Sequence, residues 1–225
     1  MKDFFDAVFY INLDARTDRR SSIEKQAGEI GLVIERVPGI VIADDDPALQ
    51  HPIHRNDAKI QRKLGCTRAH ISAVRRAKER GYRDVLIVED DIEFRPGFVP
   101  KLKQVYAEVQ QHDWHLLYLS GEPNCEVQTV SANVAYIRGG FYGTTAYAVN
   151  HTWFDRYLAI DPVVTESIDI RLLNMSEDYR RVYLSREMLC HQLDNHYSDV
   201  DGQIRSSAHI HQAAWDRYVT NTGFQ

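Results

Sequence analysis

Long hydrophobic runs are missing from this chain: no apolar stretch approaches the ~20 residues that a membrane-spanning helix needs. Cysteine is scarce. Cys66, Cys125 and Cys190 form an odd, widely spaced set that suits neither a disulfide framework nor a zinc ribbon, and a reducing cytoplasm is the expected compartment. Positive charge is not in excess. A net charge of −5 argues against nucleic acid or anionic membranes as partners recognised by charge alone, while leaving room for a local basic site for phosphate. The N-terminus, Met1-Lys2-Asp3-Phe4-Phe5-Asp6, carries acids where a secretion signal carries positive charge, so no such signal is expected. Neither Gly-x-Gly-x-x-Gly nor a P-loop occurs, which counts against dinucleotide and NTPase chemistry. No repeat or low-complexity linker divides the 225 residues, and they read as one α/β domain large enough for a packed core.

What is present centres on residues 85–94. Val85-Leu86-Ile87-Val88 is a short apolar run of the kind that forms a strand buried on both faces. It runs directly into Glu89-Asp90-Asp91 and then Glu93. Carboxylates are rarely buried unless paired or bound to a cation. The carboxyl ends of strands in open α/β sheets are where ligands bind, and oxygen ligands of this type suit Mg²⁺ or Mn²⁺ together with substrate phosphates. The stretch therefore reads either as a metal–diphosphate site or as an acidic turn paired with Arg83 or Arg95.

The surrounding chain supplies neighbours for such a strand. Residues 7–13 are almost continuously apolar, a helix follows from Thr17 or Asp18 with Ile23, Ala27 and Ile30 on one face, and residues 32–37 read as a second strand. This is a β-α-β opening with parallel strands and a right-handed crossover. Residues 38–62 lack periodicity. Gly65 and Cys66 open a second helix, with Thr67 as its cap and Gly81 as its stop. Gly65 is read as allowing close approach of the backbone, and Cys66 as a small core residue. An amphipathic helix is expected from Phe98 to Gln111, with Phe98, Leu102, Val105 or Tyr106, and Val109 inward. Strands follow at 114–119 and 141–149, a hairpin at 127–137, a helix at 151–159, a short helix or turn at 168–173, and a last strand at 181–184. The tail beyond Cys190 is polar and rich in histidine.

Three pieces then stand in order: Ile11-Asn12-Leu13 with Arg16 and Asp18-Arg19 behind it, Gly65-Cys66 with Ala69-His70, and Leu86-Ile87-Val88-Glu89-Asp90-Asp91. Together they resemble glycosyltransferase family 25, which includes bacterial lipooligosaccharide galactosyltransferases and the catalytic domains of procollagen galactosyltransferases. Ala69 stands where that family usually has Ser. Thr144-Thr145-Ala146-Tyr147, Ile168-Asp169-Ile170-Arg171 and Ser198-Asp199 look like further family segments. The resemblance is dense over residues 7–95 and thinner over 139–200.

The resemblance implies a GT-A-like, Rossmann-type sandwich around a central, mostly parallel sheet. Residues to about 120 would bind a nucleotide-sugar and the remainder the acceptor. It implies inverting transfer of a hexose, most often galactose from UDP-galactose, to a hydroxyl of a glycan or glycolipid, with Mn²⁺ or Mg²⁺ as cofactor. Peripheral association with a membrane-bound acceptor at the inner face of the membrane is compatible with this. Asp91 and Glu89 are the candidate metal ligands, because alternate residues of an extended segment point the same way and would set Asp90 opposite. Asn12, Arg16, Arg20, His70 and Asp90 are the candidates for the donor. Each has a plain alternative: a turn-capping amide for Asn12, solvated helix-start cations for the arginines, a hydrogen-bonded core residue for His70. Asp169 is the candidate base and equally a helix cap, with Asp178 and Glu166 behind it. His196 or Asp199 would complete the metal shell or close over the donor, and Gly139-Gly140 with Thr144-Thr145 would line the sugar pocket. A catalytically inactive nucleotide-sugar-binding domain and a Rossmann-like nucleotidyltransferase are the competing readings.

Overall fold

In a computed structural model, residues 4–51, 59–137, 141–160, 167–175, 181–194, 196–200, 202–205 and 208–220 are described. The chain opens with strand β1 (Ala7–Asn12), helix α1 (Thr17–Glu29) and strand β2 (Glu35–Pro38). Helix α2 (Ile60–Glu79) leads into β3 (Asp84–Glu89) and the short β4 (Ile92–Phe94). Helix α3 (Phe98–Val109), β5 (Leu116–Pro123), the hairpin of β6 (Val127–Thr129) and β7 (Val134–Ile137), and β8 (Phe141–Asn150) follow. The last part holds α4 (Phe154–Leu158), α5 (Ile168–Met175), β9 (Val182–Ser185), β10 (Cys190–Gln192), β11 (His196–Ser198), β12 (Gln203–Arg205) and α6 (Ala208–Trp215).

Eight strands form one sheet in the order β2-β1-β3-β8-β5-β9-β7-β6. β1 is parallel to both β2 and β3, and β9 to β5, whereas β8 and β7 are antiparallel to their neighbours. Only β8 and β7 thus run against the other strands. Alternation along β3 explains its uninterrupted apolar run. Val85 and Ile87 pack into a core with α2, α4, α5 and α6 through Val74, Tyr157, Leu172 and Trp215. Leu86 and Val88 pack on the other face with α1 and α3 through Ile23, Ala27, Leu102 and Val105. Each such side chain, fully buried, is worth about 1.5–3 kcal/mol, and helices on both faces make the α/β sandwich that the resemblance implied.

Two expectations change. Helix α2 begins at Ile60, well before Gly65, and Thr67 is a buried interior residue rather than its cap. Gly65 is a packing position: a Cβ there would lie 2.2 Å from the backbone carbonyl oxygen of Ile40. Gly65→Ala gains helix propensity of about 1 kcal/mol. It nevertheless forces the segment after β2 away from the helix, an overpacking cost of about 1–3 kcal/mol or more. A net loss of stability on chemical denaturation is expected, since a backbone carbonyl cannot swing aside as a side chain can. The polar tail, in which no element was expected beyond 184, contributes β10 paired antiparallel with β4, the β11–β12 hairpin and α6. Among the described residues no helix is long and apolar enough to cross a membrane.

Candidate functional site

The register of β1 and β3 sets Ile11 beside Glu89, so the residues that follow, Asn12 and Asp90, emerge together at the carboxyl ends of two central parallel strands. The Asn12 amide donates to Asp90 Oδ2 at 2.6 Å and to the Arg16 carbonyl at 3.0 Å. Its own oxygen accepts from Arg36 Nε at 3.0 Å. Asn12 is 1% exposed and has both ends of its amide engaged. It fixes Asp90 and the entry to α1.

Extended geometry ends at Glu89, and the chain bends through the next two residues. Alternation therefore does not continue, and it is Asp90 and Asp91 that share a partner. Arg19 Nη1 lies 3.0 Å from Asp90 Oδ1 and 3.3 Å from Asp91 Oδ2. It is also 3.2 Å from Asp199 Oδ2, which Arg16 Nη1 approaches at 2.6 Å. Arg19 Nη2 donates to the Tyr197 carbonyl, which ties the β11–β12 hairpin to α1. Arg20 turns to the outer face of the helix and pairs with Glu24 at 3.0 Å. Arg19 was not among the candidates, yet its signal was readable: it lies four residues before Ile23 and eight before Ala27, on the buried stripe of α1.

Glu89 faces the other way, toward β8 and β10. It accepts from Thr144 Oγ1 at 2.8 Å and from Gln192 Nε2 at 3.2 Å, and His70 Nε2 stands 3.8 Å from it. Burial, then the charge of Asp91, pushes the Glu89 carboxyl well above its usual range. Burial first, and Asp91 next, also raises Asp90, against the opposing pull of Asn12 and Arg19. Burial is thus the main cause of both shifts, and the like charge of Asp91 adds to it.

His70 is 1% exposed, and its Nδ1 is 2.8 Å from the hydroxyl of Tyr147, which in turn meets the Tyr157 hydroxyl at 2.7 Å. It stands behind Glu89 as a wall of the site. Burial lowers its pKa from 6.5 to about 3. An imidazole that titrates near 6.5 when unfolded and about 3 when folded contributes stability that is complete above pH 6.5 and is lost as pH falls toward 3. Replacing His70 with Gln should flatten the fall in unfolding free energy between pH 6.5 and 4, by up to about 1.4 kcal/mol per pH unit. An acid limb that is unchanged in the variant would place its origin elsewhere.

Asp169, in the first turn of α5, accepts from the backbone N–H of Gly143 at 2.9 Å through Oδ2, and from Ile170 N–H at 2.9 Å and the Ser167 hydroxyl through Oδ1. Its charge is close enough to bear on Glu89, His70 and Cys66. It thus ties α5 to β8. The side chain of His196, both Glu166 and Asp178, and Gly139-Gly140 lie outside the described residues.

Among the described residues no three acidic, histidine or cysteine side chains are gathered as a ready metal site. Asp90, Asp91 and Asp199 are instead gathered around the guanidinium of Arg19. Asp90 and Asp91 are hard oxygen donors, and two carboxylates completed by substrate phosphates suit Mg²⁺ or Mn²⁺.

The Asn12 amide at the carboxyl end of β1 and the acids at that of β3, with Arg16 and Arg19 at the start of α1, stand where ligands bind in open α/β sheets. The model of glycosyltransferase family 25 (LPS biosynthesis protein) matches residues 5–138, more than half of the chain, and the chain belongs to that family. A relative named procollagen galactosyltransferase 2, from Mus musculus, is 26% identical over 220 residues, covering 82% of this chain and 33% of its own length. One from Bos taurus named probable inactive glycosyltransferase 25 family member 3 is 28% identical over 176 residues, covering 71% and 29%. The chain spans about a third of the length of these relatives. The solved structure of apo-UDP-glucose pyrophosphorylase overlays with a TM-score of 0.46 at 10% identity, covering 94% of this chain and 81% of that one, a likeness that decides nothing about the reaction.

Proposed function

We propose that this chain transfers a hexose, in the first instance galactose, from a UDP-sugar to a hydroxyl of a glycan or glycoconjugate, with inversion and with Mn²⁺ or Mg²⁺. The observation that carries the reading is the meeting of Asp90 and Asp91 with one buried guanidinium at the ends of β1 and β3. When bound, the cation would neutralise charge developing on the leaving diphosphate. Asp91 and Asp90 would hold it, and Arg16 and Arg19 would offer planar donors to phosphate oxygens. Glu89, fixed by Thr144 and Gln192 and backed by His70, would shape the sugar side of the pocket.

Asp169 would take the proton of the acceptor hydroxyl. Its two oxygens offer about four acceptor positions. Among the described residues three donors use them, on a carboxylate held by β8 and α5. The same saturation favours a second reading, a binding domain in which Asp169 is only a strut. Family membership does not separate the two, since relatives carry both galactosyltransferase and inactive names.

A donor panel with released UDP as readout tests the proposal. UDP-galactose with Mn²⁺ should give UDP, faster when glycan acceptors are added. Binding of UDP without turnover of any donor, across an acceptor array, would leave the binding-domain reading standing.

A further inference from the structure

Arg19 holds an unusual position. Its side chain is 9% exposed, and one nitrogen meets three carboxylates, from Asp90, Asp91 and Asp199, within 3.3 Å. Two of these acids come from the end of β3 and the third from the turn of the β11–β12 hairpin. Arg16 shares Asp199 with it. The hairpin is thus latched to α1 by two guanidiniums on one carboxylate oxygen and by the hydrogen bond from Arg19 to the Tyr197 carbonyl. Its turn also reaches α2, because a Cβ on Gly202 would lie 2.0 Å from Arg62 Nη1.

The electrostatics of this cluster restrict what can enter it. A cation that arrives alone at Asp90 and Asp91 must expel or crowd Arg19, which loses two of its three carboxylates and keeps only Asp199, already shared with Arg16, and the Tyr197 carbonyl. An anion that arrives alone must draw Arg19 away from three acids, so that Asp90 and Asp91 lose the guanidinium they share while Asp199 keeps Arg16. Separating one partner from a buried ion pair is costly, and a new partner of the same sign on each side offsets that cost. The inexpensive route is a paired exchange, in which a divalent cation takes the carboxylates and an anion takes the guanidiniums.

We propose that Arg19 is an internal counter-ion that couples the two halves of the donor site: its contact with Asp90, Asp91 and Asp199 is the collapsed form of that site, into which a cation and a nucleoside diphosphate insert together. Asp199 is the internal anion that the diphosphate replaces on Arg16 and Arg19, so binding unlatches the hairpin from α1. Each side of the exchange trades one ionic partner for another of the same sign, and planar guanidiniums suit phosphate as well as carboxylate. This rests on the donor-site reading above and adds to it the residue that makes cation and diphosphate depend on one another.

Because UDP and Mn²⁺ also bind each other, the test uses each ligand alone, by calorimetry on the full chain. With Arg19→Ala, Mn²⁺ without nucleotide should bind roughly 10-fold tighter than to the wild type, within the usual range of coupling between sites. UDP with chelator present should bind more weakly. With Asp199→Asn, UDP with chelator should bind tighter, because an internal competitor has been weakened. Arg19→Lys keeps the charge and should leave Mn²⁺ affinity near the wild-type value. Should Arg19→Ala fail to fold, Asp199→Asn carries the test.

Equal or weaker Mn²⁺ binding by Arg19→Ala would overturn the inference, as would weaker UDP binding by Asp199→Asn, which would make Asp199 a ligand rather than a competitor. A wild type that binds both ligands, with unchanged variants, refutes the role of Arg19 alone. A wild type that binds neither UDP nor Mn²⁺, separately or together, refutes the donor site as well.

Discussion

Replacing Asp91 with alanine is expected to lower sugar transfer on the order of 10³-fold, the scale of losing a group aimed at charge that develops in the transition state. Asp91 is 6% exposed, follows the bend after β3, and shares the Arg19 guanidinium with Asp90. Its loss removes one of the two oxygen donors that β3 offers to a cation. The fold should tolerate the change. Arg19 keeps Asp90 and Asp199, and the raised Glu89 and Asp90 carboxyls are relieved of a like-charged neighbour. Thermal unfolding of the metal-free protein should therefore change little while turnover collapses. The reverse pattern, a damaged fold with proportionate residual activity, would make Asp91 a structural counter-ion to Arg19.

Asp169→Asn should cost transfer roughly 10²- to 10⁴-fold, the usual contribution of a positioned proton acceptor. This change also carries a structural penalty that must be separated from the chemical one. Both oxygens of Asp169 accept from donors, so an amide must turn its own N–H groups toward Gly143 N–H or toward Ile170 N–H and Ser167. A buried donor facing a donor costs about 1–3 kcal/mol. Activity is therefore best measured well below the unfolding transition, with UDP affinity in the presence of Mn²⁺ as the control. Preserved UDP binding with lost transfer identifies the base. Preserved transfer in a destabilised protein leaves Asp169 as the tie between α5 and β8, and the base must then be sought among Glu166 and Asp178.

The first half of the chain was legible because parallel strands buried on both faces are written as continuous apolar runs. Residues 7–13 and 85–88 could hardly be anything else, and their neighbouring ends followed from the β-α-β order. The start of α2 was misread because glycine signals both helix boundaries and close packing. At Gly65 the packing against the Ile40 carbonyl is the operative cause, a contact between segments 25 residues apart that no local pattern records. β10 is held by pairing with β4, nearly 100 residues earlier, and β11 and β12 are three residues each. Such elements owe their existence to tertiary partners rather than to local propensity.

Within the site, the types of group were readable and their pairings were not. The acids after Val88 were evident, but the bend at Asp90 exchanged the members that act together. Arg19 was visible as the residue in register with Ile23 and Ala27. Its neighbour Arg20 falls on the exposed face of α1, where it pairs with Glu24.

The central claim is that Asp90 and Asp91 hold the cation of a nucleotide-sugar site. It is tested most directly by the anomalous scattering of Mn²⁺ in crystals of the protein soaked with Mn²⁺ and UDP. The account predicts one strong peak at ligand distance from the Asp91 or Asp90 carboxylate and from the UDP phosphates, with Arg19 drawn off the acids. A peak away from these residues, or UDP bound with Arg19 still seated between Asp90 and Asp91, would contradict it.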